Sequence, residues 1–92
     1  MTPALKLPPE VTHAQAGELR HALGRQVRSG TGALIVDASA LQRFDSSVLA
    51  LLLALRRDGQ SADRRFAVRA LPDRLRSLAV VYGVAELLPA AD

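Results

Sequence analysis

The sequence predicts a single α/β domain with at least three strands, and three observations lead there. The chain has 92 residues, too few to hold two hydrophobic cores, so residues 1–92 are expected to form one domain. Its hydrophobic content is 49% and its mean hydropathy +0.12, values of a packed globule and not of a disordered chain. Along it, strand-like apolar runs alternate with helix-like stripes, joined by short connections.

Each element follows from local chemistry. Ala4-Leu-Lys-Leu7 is a short strand candidate, closed by Pro8 and Pro9, which cannot continue a ladder. Thr12 with Gln15 three residues on has capping-box spacing, and the helix that follows is expected to bury Leu19, Leu23 and Val27 and to stop at Gly30 or Gly32. Gly17 and Gly24 within it each cost up to about 1 kcal/mol relative to alanine, so packing must hold this helix. Ala33-Leu-Ile-Val-Asp37 is a continuous apolar run, suited to a central strand covered on both faces.

A second helix is expected from Asp45-Ser46-Ser47 to about Asp58, ending at Gly59, because all three opening residues are good N-cap types. Arg65 to Ala70 reads as a third strand with Phe66, Val68 and Ala70 on one side. Pro72 and Asp73 suit the first turn of a third helix. Its stripe would be Leu75, Leu78, Ala79 and Tyr82, with Gly83 at C′. Val84 to Pro89 is a short apolar tail expected to fold back on the core.

Composition excludes several function classes. The formal charge is +3 and the isoelectric point about 10.6. Yet the 12 basic residues are interleaved in sequence with 9 acids, and Phe44, Phe66 and Tyr82 are too few for base stacking. No nucleic-acid partner is expected. Without cysteine there are no disulfides or thiolate metal sites, which favours a cytoplasmic setting. Met1 to Pro9 is broken by prolines before an apolar region develops and does not read as a signal peptide. The longest apolar run, Val48 to Leu55, is far short of the roughly 18 residues that span a bilayer. No nucleotide-binding or nucleophile-elbow motif is present. His13 and His21 lie eight apart and not at the four-residue spacing of a metal pair. Asp37 and Asp45 have no histidine or lysine near them in sequence and read as a strand-end acid and a helix cap. No catalytic residue, metal or cofactor is expected.

The informative segment is Val36-Asp-Ala-Ser-Ala-Leu-Gln-Arg-Phe-Asp-Ser-Ser-Val-Leu-Ala-Leu-Leu-Leu-Ala-Leu55. A strand ends in Asp37, a short loop follows, and a helix opens on two hydroxyls. Val48, Leu49, Leu51, Leu52, Leu53 and Leu55 spread over roughly 200° of the helix, wider than an ordinary surface stripe. Either that helix is sandwiched between the sheet and neighbouring helices, or part of its N-terminal face docks another protein.

Asp37-Ala-Ser39 followed by Phe44-Asp-Ser-Ser-Val-Leu49 resembles the signature of the STAS domain family, D-L-S and then a hydrophobe with D-S-S-G-L. Leu75 to Pro89 is similar to the L-A-x-x-Y ending of one branch, the small STAS subunits of Mla phospholipid-transport ABC complexes. The resemblance spans roughly residues 4–89. It implies a mixed β-sheet of three to four strands packed against three to four helices, shortened at its N-terminus. With that edge strand missing, weak self-association is expected. Val48 stands where the family has glycine, which departs from the usual geometry around the serines.

The resemblance implies a regulatory, non-enzymatic protein without cofactor. Its partner would be the ATPase subunit of a phospholipid-transporting ABC system, reached in the cytoplasm and tied to the inner membrane only through that complex. The contact would use Asp37, Ser39, Phe44, Asp45, Ser46, Ser47, Val48 and Leu49, with Ser46 at the position of the branch's contact threonine. The alternative is an anti-sigma-factor antagonist, with Ser47 as candidate phosphoacceptor for an anti-sigma factor serine kinase.

Overall fold

The computed structural model of the chain describes residues 4–91. Met1 to Pro3, on which part of the signal-peptide reading rests, and Asp92 lie outside them. Among these residues five strands and three helices follow in the order β1 (Leu5–Lys6), β2 (Glu10–Val11), α1 (His13–Ser29), β3 (Leu34–Asp37), β4 (Arg43–Phe44), α2 (Ser47–Ser61), β5 (Phe66–Arg69) and α3 (Asp73–Val81), with a 3₁₀ turn at Ala85–Leu87. The main sheet runs β1-β3-β5, and β2 and β4 form a separate two-stranded ladder. A parallel bridge from Val68 to Ala90 lays the chain's last described residues on the outer edge of β5. All these pairings are parallel, whereas the resemblance implied a mixed sheet. Each paired strand is separated from the next by a helix, and a helical crossover makes parallel neighbours.

Because the sheet order is monotonic and such crossovers are right-handed, the helices fall on one face of the sheet. β3 is therefore central but covered on one side, contrary to the expectation of two. Leu34 and Val36 are buried while Ile35 is half-buried, and in β5 Phe66 and Val68 are buried while Ala67 and Arg69 are only partly so. The core gathers Leu7, Leu23, Val27, Val36, Val48, Leu52, Leu55, Val68 and Leu75, and α1 lies along α2.

Caps explain most boundaries. Gln15 Oε1 accepts from the Thr12 N–H at 2.8 Å and from its hydroxyl at 2.6 Å, the reach-back of a capping box. α1 ends at Gly30 and buries Leu23 and Val27 as expected, while Leu19 is only half-buried. α2 does not stop at Gly59. Gly59 is buried inside the helix, where an added Cβ would lie 3.0 Å from Leu34 Cδ2, so it serves close packing on β3. The helix ends at Ser61, and Asp63 follows with φ 57°, where Arg64 N–H donates to the Gly59 carbonyl at 2.8 Å and Asp63 N–H to that of Gln60 at 3.1 Å, a Schellman motif built without glycine. α3 closes the same way at Gly83, φ 74°, as predicted. Tyr82 is not part of its buried stripe: it is 58% exposed, and Leu75 and Ala79 carry the buried face. The tail does return to the core through Leu88, which is buried.

Candidate functional site

The motif residues collect where the β2–β4 ladder brings two helix N-termini side by side. Val11 registers against Phe44, so Thr12, which leads into α1, and Asp45, which leads into α2, leave the ladder as neighbours. Asp45 serves both helices. One carboxylate oxygen accepts from the Ser47 N–H at 2.9 Å and from the Ser47 hydroxyl in a short contact. The other accepts from the His13 N–H at 3.0 Å. Among the good cap types at 45–47, Asp45 is the one whose side chain caps α2; the Ser46 side chain makes no cap hydrogen bond. These bonds, the Ser47 hydroxyl first, hold the Asp45 carboxyl below its ordinary pKa.

Asp37 ends β3 and is buried. Its carboxylate accepts from the Ser39 N–H at 2.9 Å, an Asx turn that starts the loop toward β4. The Ser39 backbone N–H and then its hydroxyl lower its pKa against the opposing effect of burial, with Lys6 and Arg69 adding smaller contributions. Asp37 thus shapes the loop, and its small exposure leaves little carboxylate for a partner to touch.

The expected contact set divides. Ser39, Asp45 and Ser46 are exposed and Phe44 and Ser47 are half-buried. Val48 and Leu49 are core residues at 0% and 3% exposure and cannot supply apolar contact to a partner, which corrects that part of the expectation. α2 is buried so broadly because it lies between the sheet and both neighbouring helices, the sandwiched alternative. The same placement accounts for valine where the family has glycine: the side chain points into the core. Phe44 remains as the apolar element, with the Arg74 guanidinium 5.7 Å from its ring centroid, a cation–π distance.

Sequence reasoning missed the second wall of this site. A shallow groove beside Ser47 runs between α1 and α2, lined by His13, Ala16, Gly17, Arg20, Ala50 and Leu51. Small residues at 16, 17 and 50 keep it open. Their spacing was visible in the sequence, but not that the two-residue strands would set them face to face. His13 and His21 are both exposed, and among the described residues no group of His, Asp and Glu could hold a metal.

A family model described as "Mlab, STAS domain" matches residues 1–89. A solved structure, an anti-sigma-factor antagonist (STAS) domain protein from Planctomyces limnophilus, superposes with a TM-score of 0.77 at 13% identity, covering 97% of this chain and 82% of that one. At that identity the likeness speaks to the fold alone. No curated protein matches the sequence. With an α/β core of parallel strands, helices on one face and the Asp-Ser-Ser turn opening α2, the chain belongs to the STAS domain family.

Proposed function

We propose that this chain is a non-catalytic regulatory STAS domain that docks on the ATPase subunit of a phospholipid-transporting ABC system through the turn from Phe44 to Ser47. The observation that carries the reading is the match of residues 1–89 to the family model described as Mlab. The geometry is compatible with it. Ser46 is an exposed, small hydroxyl on the last residue before α2, and the positive end of the helix dipole favours a polar or acidic partner group there. Phe44 and the Arg74 guanidinium above it offer an apolar and cationic contact of the kind that anchors interfaces. The domain would act by occupancy alone, holding the ATPase in its assembled arrangement.

The alternative, an anti-sigma-factor antagonist, draws on the half-buried Ser47 hydroxyl held by Asp45. A phosphate on Ser47 would place about −1.5 to −2 charges against that carboxylate, breaking the contact and repelling an acidic partner.

The two readings part on neighbouring serines. Replacing Ser46 with arginine is expected to abolish co-purification with a transporter ATPase subunit from the same cells while leaving the thermal melt unchanged, because the site is exposed. Ser47→Ala is expected to keep binding, since Asp45 retains the Ser47 N–H. Stoichiometric phosphate on Ser47 in protein from native cells, or loss of the partner only in Ser47→Asp, would transfer the assignment to the second reading.

A further inference from the structure

The parallel sheet with returning helices puts the strand N-termini and the helix C-termini at one end of the domain, opposite the Asp-Ser-Ser turn. That end has a charge the sequence order conceals. Among the described residues it holds six arginines, at positions 25, 28, 56, 57, 64 and 65, against Asp58, Asp63 and Glu86. The local excess of three equals the formal charge of the whole chain, +3. Arg28 faces Asp58 at 3.4 Å, and the Arg64 guanidinium is committed to backbone carbonyls. Arg25, Arg57 and Arg65 are exposed, and Arg56 is half-buried.

The same end carries a second, independent feature. Val80, Val81, Tyr82 and Leu87 are 65%, 76%, 58% and 37% exposed, at the C-terminus of α3 and in the turn that follows. α3 buries its opposite face through Leu75 and Ala79, so these four side chains serve no core. Arg56 and Arg65 line one groove with Glu86 and Pro89, which sets the guanidinium groups beside the turn that bears Leu87.

We infer that this end of the domain docks on an anionic lipid surface. Side chains exposed to this degree project from the protein instead of lining a pocket. A projecting apolar tip with Arg56 and Arg65 beside its final turn fits a deformable interface that it can enter, where acidic headgroups meet the arginines. A rigid protein partner would need a matching cavity. Tyr82 has the amphipathic ring that settles at headgroup depth. The proposal concerns a different face from Ser46 and does not depend on the transporter reading.

Co-sedimentation of the full chain with vesicles of equal parts phosphatidylglycerol and phosphatidylcholine, at physiological salt, tests it. Binding is expected to these vesicles and not to pure phosphatidylcholine. Arg57→Gln and Arg65→Gln should each weaken it roughly five-fold. Val81→Asp and Tyr82→Ser should remove most of it without changing the thermal melt, and Arg43→Gln at the opposite end should leave it as it was. Absence of binding to the anionic vesicles, or equal binding to neutral ones, would overturn the inference. So would equal loss in Arg43→Gln, or capture by polyglutamate as strong as by vesicles, which would reassign the face to an acidic protein. No transporter component enters the assay, so its failure would leave docking at Ser46 untouched.

Discussion

Asp45 closes the N-termini of two helices with one carboxylate, and only its ionised form can accept at both oxygens at once. Its pKa lies below the ordinary 3.8. A depressed carboxylate stabilises the fold above its unfolded pKa, and that contribution disappears as pH falls through the folded value. Asp45→Asn should therefore lower the melting temperature at neutral pH, and the gap to wild type should narrow below pH 3.8. Both proteins keep an acid limb through Asp37, whose pKa is also lowered. A gap that stays constant across thermal melts from neutral to acid pH would refute this role. Arg64 is the cationic counterpart. Its guanidinium donates to the carbonyls of Val27 at 3.0 Å, Gly32 at 3.0 Å and Ala33 at 3.2 Å, tying the end of α1 and the entry to β3 to the loop after α2. Arg64→Ala should cost about 1–2 kcal/mol in urea unfolding, as charged hydrogen bonds lost from a partly exposed site. Lysine should recover less than half, because a single ammonium cannot reproduce a planar fork on three acceptors.

At the scale of elements, α1 carries two interior glycines with different surroundings. A Cβ at Gly17 would meet nothing within 4 Å, whereas at Gly24 it would lie 2.8 Å from Asp58 Oδ2 and 3.1 Å from an Arg28 nitrogen. Gly17→Ala should stabilise the protein by about 0.5–1 kcal/mol through helix propensity. Gly24→Ala should gain less, since the Arg28–Asp58 pair must move aside; a larger gain at 24 than at 17 in denaturant melts would contradict the packing described. The contrast marks what the sequence could convey. Positions of α1, α2, α3 and the longer strands were legible because apolar spacing and caps are local, and Gly83 behaved as a C′ residue should. Gly59 misled because a glycine needed for close approach to Leu34 looks the same in sequence as one that ends a helix. Tyr82 misled because its i+7 spacing runs past the last turn. β2 and β4 were invisible: two residues carry no period, yet they bring His13 to Asp45. The motif itself was legible from Asp37 to Ser47, but Val48 and Leu49 were not separable from it until the burial of α2 was known.

Across the whole molecule, the sheet is protected unevenly. β5 is flanked by the bridge to Ala90, and the helices cover one face, but among the described residues nothing pairs with the outer side of β1. Leu7 N–H donates to the Asp37 carbonyl at 3.0 Å, so by strand alternation the N–H and C=O of Lys6 point away from β3. An exposed strand edge is a template for another strand, and a second copy presents the same edge about a two-fold axis. Against this stand the brevity of β1 and the charge on Lys6, both devices that limit edge pairing. The balance predicts weak, concentration-dependent self-association. Lys6→Pro separates this edge from every other contact: it removes the outward donor while leaving the bonds of Leu5 and Leu7 to β3 in place. Sedimentation velocity over rising concentration should show wild type drifting above the monomer and Lys6→Pro remaining monomeric. A wild type that stays monomeric into the hundreds of micromolar, or a variant that associates equally, would move the contact away from β1.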